Sequence, residues 1–231
     1  MTTVIIPTFN EADQIAATIK NIRYAAGAAP VEIIIADGGS NDRTVDTAKQ
    51  QGVRTLMSEK KGRAAQMNAG ASLANGDVLY FLHADTAPPD GFADDIIDTL
   101  NNGYSSGCFT LSFDHRHWFL RANCWFTRFD INAFRFGDQS LFVTREAFEN
   151  AGGFCEKHIV LEDQEFIKRL KKFTAFKVIK KPVITSARKY IENGIYKTQA
   201  IFFIIYFLYQ LGFSQEKLVK TYKRMLSQNK L

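Results

Sequence analysis

The run Val4-Ile5-Ile6-Pro7-Thr8-Phe9-Asn10-Glu11-Ala12-Asp13 places three β-branched residues, a proline and a polar turn directly before a helical apolar pattern at Ile15, Ala16, Ile19 and Ile22. β-Branched residues in series favour a buried strand, Pro7 is expected to end it, and Asn10 is expected to cap the helix that follows. A strand passing through a short polar loop into a helix is the repeating unit of α/β folds.

The unit recurs downstream. Val31-Glu32-Ile33-Ile34-Ile35-Ala36 reads as a second strand, broken at Asp37-Gly38-Gly39-Ser40 and followed by a helix over residues 42–51. A third strand is expected over 53–57, a helix over 64–74, and a fully buried strand over 78–82. This alternation predicts a Rossmann-like, mainly parallel central sheet flanked by helices. Ligands of such sheets sit beyond the carboxyl ends of the strands, and those ends carry Pro7 to Glu11, Asp37 to Asp42 and His83 to Thr86. Beyond a helix near 94–100 the chain turns aromatic, with Trp118, Trp125, Phe126, Phe129 and Phe134. Residues 161–172 then start acidic and end basic, which suits a helix dipole.

With 231 residues, 46% hydrophobic and 23% charged, the chain has the proportions of one main globular domain and not of a disordered or fibrous protein. Charge is unevenly spread. Residues 168–231 carry 15 Lys and Arg against Glu192 and Glu216, leaving 14 basic and 22 acidic residues before them. The acidic part is expected to bear the site and the basic part to be an attachment surface. Ala200 to Phe213 contains no charge and is short for a membrane span. Flanked by lysines, it suits either a membrane surface with anionic lipid or a helix closing the core or a dimer. Cys108, Cys124 and Cys155 form no C-x-x-C pair, so neither a disulfide framework nor a zinc knuckle is expected. Met1 to Pro7 lacks the pattern of a secretory signal, and a cytoplasmic setting follows as the expectation. No nucleic-acid recognition module is visible despite a sequence pI near 9.0.

Five segments stand in order: Ile5-Ile6-Pro7-Thr8-Phe9-Asn10-Glu11; Asp37-Gly38-Gly39-Ser40-Asn41-Asp42-Arg43-Thr44; Gly62-Arg63-Ala64-Ala65-Gln66-Met67-Asn68-Ala69-Gly70; His83-Ala84-Asp85; and Glu162-Asp163. In order and spacing they resemble glycosyltransferase family 2 over residues 2 to about 190. The resemblance implies a GT-A fold in residues 1–190 with a C-terminal apolar and basic helical appendage in 191–231. It further implies a nucleotide-sugar donor, with a UDP-sugar favoured, a divalent Mg²⁺ or Mn²⁺, and inversion at the anomeric carbon. By the same resemblance Pro7, Thr8, Phe9, Glu11, Asp37, Arg63, Asn68, His83, Ala84 and Asp85 are nucleotide-sugar contacts. Asp85 holds the metal and Asp163 is the general base.

Two positions depart from the family pattern. Gly38 stands where a second carboxylate is usual, and His83 stands where the Asp-X-Asp motif has its first carboxylate. Asp138 and Gln139, within Arg135-Phe136-Gly137-Asp138-Gln139, together with Glu162, are candidates for an acceptor loop. His158 is a candidate additional metal contact. Asp114-His115-Arg116-His117 reads as a solvated turn.

The expected activity is a single sugar transfer to a hydroxyl acceptor, lipid-linked or membrane-proximal, by an enzyme peripheral to the inner face of a membrane and capable of homo-oligomer formation. A polymerising synthase is disfavoured, since no Gln-x-x-Arg-Trp motif is present. Two other readings stay open: a sugar nucleotidyltransferase, which lacks its glycine-rich phosphate loop here, and a noncatalytic nucleotide-sugar or membrane-surface binding protein.

Overall fold

A computed structural model describes residues 1–134 and 137–226 of the chain. Eight strands form one sheet: β1 (Thr2–Thr8), β2 (Val31–Asp37), β3 (Arg54–Met57), β4 (Val78–Phe81), β5 (Thr86–Ala87), β6 (Ser106–Phe113), β7 (Leu141–Thr144) and β8 (Phe176–Thr185). The helices are α1 (Ala12–Ala26), α2 (Thr44–Gln50), α3 (Arg63–Leu73), α4 (Phe92–Asn101), α5 (Trp118–Phe126), α6 (Arg145–Asn150), α7 (Glu162–Leu170), α8 (Arg188–Asn193), α9 (Ile195–Gln210) and α10 (Gln215–Met225). Short 3₁₀ turns lie at Asn132–Phe134 and Gly137–Gln139.

The strand order is β3-β2-β1-β4-β7-β6-β8-β5. The first four strands run parallel, as the alternation predicts, and β7 is antiparallel to both its neighbours. That reversal builds the site. Phe81 of β4 pairs with Leu141 of β7, so the residues leaving β4 meet those entering β7.

Side-chain alternation along the strands feeds two cores. Val4, Ile6, Ile35 and Tyr80 pack with Ile15, Ile19 and Phe92 of α1 and α4 on one face. Ile5, Leu79, Phe81 and Val143 pack with Met67, Phe148, Phe166 and Ile167 of α3, α6 and α7 on the other. Gly70 lets α3 lie against β1, since a β-carbon there would stand 2.4 Å from Ile5 Cγ2.

Two local expectations change. Pro7 does not end β1 but pairs with Ala36 inside it. Its missing N–H faces the β4 side, where the ladder has already closed with Leu82 N donating to Ile5 O. Asn10 does not cap α1; it is left-handed (φ 54°), Glu11 precedes the first turn, and Asn10 Oδ1 accepts from Asn41 N instead.

Part of the aromatic segment after β6, Trp118–Phe126, is helical as α5. The last two helices pack on each other and on Val160 through Ile201, Ile205, Leu218 and Tyr222. No helix of the described residues is long and apolar enough to cross a membrane.

Candidate active site

Two loops at the carboxyl ends of β1 and β2 are stitched together. Asp37 is fully buried and accepts four hydrogen bonds, from Thr8 Oγ1 (3.0 Å), Gly39 N (2.9 Å), Ser40 N (2.7 Å) and Ser40 Oγ (2.6 Å). Four donors match the acceptor sites of a carboxylate, so Asp37 fixes the shape of the Gly38–Ser40 turn. Ser40 Oγ in turn accepts from Asn10 N, and Thr44 Oγ1 accepts from Glu11 N. Behind this turn the Gln66 amide donates to Thr8 O and Ala36 O. Pro7 and Thr8 are buried, while Phe9 and Glu11 reach the surface of the loop.

The β4–β7 register brings His83 to Asp138, with Nδ1 and Oδ1 3.1 Å apart. Burial works against charge on both members of this pair, the imidazole and the carboxylate, but the hydrogen bond between them prevails. His83 is raised above its ordinary value, and Asp138 is held down at about 2 with help from Lys189 and Arg63. The pairing thus favours the imidazolium form of His83 facing the Asp138 carboxylate more than it is favoured in a free histidine.

Across the cleft, the α7 N-terminus presents Glu162 and Asp163, both buried. Leu161, just before them, adopts the left-handed conformation (φ 61°), one of three described non-glycine residues with positive φ. This kink turns both carboxylates inward at the start of the helix. Glu162 Oε1 lies 2.8 Å from Arg63 Nε at the start of α3. Burial, aided by the neighbouring Asp163 charge, pushes the Glu162 carboxyl up to about 7 against the pull of Arg63. Glu162 Oε2 is buried with no hydrogen-bond partner. Arg63 is raised further by its acidic surroundings, Glu162 first and then Asp163 and Asp138. Among the described residues no hydrogen-bond donor is tied to the Asp163 carboxylate.

Arg63, His83, Asp138, Glu162 and Asp163 line one cleft with a free volume of about 130 Å³. Its opposite wall is aromatic and comes from the C-terminal helices: Tyr190 of α8, Gln199, Phe202 and Phe203 of α9, and Tyr222 of α10. Tyr190 Oη donates to Gln199 Oε1 at 2.9 Å, and burial raises the phenol well above its usual range. Cys124 also faces the cleft, its thiol pushed up to about 12 by burial, which keeps it protonated and unreactive.

The sequence did not single out Lys189, Tyr190, Gln199 or Tyr222: a core-closing helix over Ala200 to Phe213 was one expectation, but the order of residues does not reveal which side chains of α8 to α10 reach the cleft. Several predicted contacts are placed elsewhere. Asn68 spends its amide on Phe154 N, Phe154 O and Glu156 Oε1, clamping the loop after α6. Ala84 is packed in the core, its carbonyl accepting from Thr18 Oγ1. Gln139 is buried beneath the cleft, where its amide donates to Phe134 O and its Oε1 accepts from Cys108 Sγ. His158 sits against Tyr209 of α9. Asp114 tethers the start of α8 by accepting from Ala187 N, so that turn is more than solvated. Arg135 and Phe136 lie outside the described residues.

No cluster of three or more His, Cys, Asp or Glu side chains among the described residues is placed to hold a metal. Asp85 alone remains as a hard oxygen donor on the β4 loop, with a single long contact from Thr86 Oγ1 at 3.5 Å. A carboxylate left so open fits the mode in which Mg²⁺ or Mn²⁺ binds through one protein carboxylate together with substrate phosphates.

A mainly parallel sheet with antiparallel β7 inserted in it and antiparallel β5 at its edge, with acidic loops at its carboxyl ends and a carboxylate pair opposite, defines the GT-A class of transferase folds. The Glycosyl transferase family 2 profile matches residues 3–155, and the chain belongs to that family. A PGL/p-HBAD biosynthesis glycosyltransferase of Mycobacterium bovis is 29% identical over 191 residues, covering 72% of this chain and 68% of that enzyme. A dolichol-phosphate mannosyltransferase of Pyrococcus furiosus is 30% identical over 105 residues, covering 43% of this chain and 30% of that enzyme. With several curated relatives the match spans only about a third of their length.

Among solved structures, residues 1–349 of TarS from S. aureus superpose with a TM-score of 0.68 at 14% identity, covering 81% of this chain and 61% of that one. Glucosyl-3-phosphoglycerate synthase of Mycobacterium tuberculosis, in complex with Mn²⁺, UDP and phosphoglyceric acid, gives a TM-score of 0.60 at 16% identity, covering 79% and 69%. These two similarities establish the fold.

Proposed function

We propose that this chain transfers a hexosyl group from a UDP-sugar to a hydroxyl acceptor carried on a lipid, with inversion at the anomeric carbon. The observation that carries the reading is the position of Asp163, a buried carboxylate with no donor tied to it, on the same cleft as Arg63 and His83. The family membership and the Mn²⁺ and UDP of the mycobacterial synthase structure support it.

The nucleotide lies along the loops Pro7–Glu11 and Asp37–Thr44, whose backbone Asp37 holds in place. Arg63 supplies positive charge and the His83 ring a hydrogen-bond donor to the diphosphate as negative charge builds on the leaving oxygen. Asp85, together with the substrate phosphates, would hold the divalent ion, which would supply charge stabilisation to the leaving group. Asp163 accepts the proton of the acceptor hydroxyl while its oxygen attacks from the face opposite the leaving group. One displacement at carbon inverts its configuration. The lipid-borne acceptor is supported by the aromatic wall of the cleft and by the similarity to the dolichol-phosphate mannosyltransferase.

The test is thermal stability of the purified protein with UDP, GDP and CDP, each with and without Mn²⁺. A ligand at one hundred times its dissociation constant adds about 2.7 kcal/mol. A Mn²⁺-dependent rise with UDP alone supports the donor assignment, and a flat response to all three overturns it.

A further inference from the structure

Helix α9 is apolar on two opposite sides. Ile201 and Ile205 are buried against the neighbouring helices. Tyr196, Phe203, Ile204, Phe207 and Leu211 are between 40% and 62% exposed. At 3.6 residues per turn those five fall within an arc of about 100°, so they form one continuous stripe. The outward face of a surface helix is ordinarily polar. Trp118 of α5, 67% exposed, extends the stripe: its ring centroid lies 6.4 Å from that of Tyr196, and Phe119 lies 4.9 Å from the same ring.

Charge identifies the occupant. Lys197, Lys217, Lys220, Lys223 and Arg224 are exposed on α9 and α10, and Lys217 Nζ sits 4.1 Å from the centre of the Phe213 ring. A symmetric pairing of two copies through this face would set like charge against like charge. Anionic lipid headgroups complement it, and Trp, Tyr and Phe beside Lys and Arg make up the composition that seats a helix in the bilayer interface. At 1.5 Å per residue the 16 residues of α9 extend about 24 Å, short of the hydrocarbon core, and one face is already committed to the protein. The helix therefore lies in the plane of the membrane.

We infer that the α9 stripe, continued by Trp118, docks this protein on an anionic bilayer surface. Phe203 belongs both to the stripe and to the cleft wall, so the cleft opens at the docked edge. Building on the transferase reading, this means that a lipid-borne hydroxyl reaches Asp163 without leaving the bilayer.

The experiment is flotation of the full chain with phosphatidylcholine vesicles made with and without phosphatidylglycerol, in the absence of any nucleotide. Flotation is expected only with phosphatidylglycerol and weakens with salt. Phe207→Ser combined with Leu211→Ser should lower it about tenfold or more while the thermal melt stays cooperative. Fluorescence of the two tryptophans locates the contact: the vesicle-induced blue shift should vanish in Trp118→Phe. Absence of flotation with either vesicle overturns the docking surface, as does unchanged flotation of the double variant. A dimer dissolved by the double variant, without vesicle binding, also overturns it in favour of a second copy. None of these readouts needs sugar transfer, so an inactive but vesicle-bound protein defeats the transferase reading alone.

Discussion

Gln66 fills the space that a side chain at position 38 would need: a β-carbon on Gly38 would lie 2.9 Å from Gln66 Nε2. The amide bridges the ends of β1 and β2 through Thr8 O and Ala36 O, so swinging it away breaks two buried hydrogen bonds of the Gln66 amide. Glycine at 38 and glutamine at 66 are thus one structural unit. Gly38→Ala should destabilise the fold by about 1–3 kcal/mol. Combining it with Gln66→Ala should cost less than the sum of the two single changes, measured as a double-mutant cycle in urea. Strict additivity would show that the two residues do not share this space.

Asp163→Asn keeps the shape of the side chain and removes its basicity. Turnover should fall by about 10²–10⁴-fold, while the thermal shift produced by UDP and Mn²⁺ persists. Activity near the starting level would remove Asp163 as the base.

Asp85→Ala tests the metal through binding. The stabilisation given by UDP should lose its dependence on Mn²⁺ while the cation-free response stays as it was. A retained Mn²⁺ effect would place the ion on other residues.

Glu162 carries a pH dependence of known sign. Its carboxyl is pushed from the ordinary 4.5 to about 7 by burial, so between those values the folded chain holds a proton that the unfolded chain has lost. Stability from this group is complete below about 4.5 and declines as pH rises through about 7. Glu162→Gln should flatten that decline in urea midpoints taken across the window.

His83, held by Asp138, gives a second contribution of the same sign. The raised histidine stabilises the fold below its unfolded value of 6.5, and that contribution fades as pH climbs through the raised value. In Asp138→Asn the His83 ring, followed by NMR, should titrate at lower pH than in the parent chain.

The β1–α1 and β2–α2 units were legible because hydrophobic period and turn chemistry are local properties. Asp163 and His83 were also legible as candidates, since each ends or begins a strongly patterned element. What brings His83 to Asp138 is the antiparallel insertion of β7, a pairing 60 residues apart from Phe81 to Leu141 that no local pattern encodes. Asn68 shows the limit from the other side. Its place in the motif suggested a ligand contact, whereas its three hydrogen bonds tie α3 to the Phe154–Glu156 loop. Residues 168–231 read as an attachment surface from their charge, with a core-closing helix over Ala200 to Phe213 as the other reading; what the charge and apolarity could not show is which residues of α8 to α10 reach the cleft.

Leu161 has a cost that bears on engineering. A side chain held in left-handed backbone costs on the order of 1 kcal/mol or more, and glycine would relieve it. Leu161 also packs against the cluster of Val160, Ile201 and Leu218, so Leu161→Gly would exchange the strain for lost packing and a freer unfolded chain; the left-handed leucine is a hinge the fold holds shut from behind, and loosening it would leave Glu162 and Asp163 less firmly aimed.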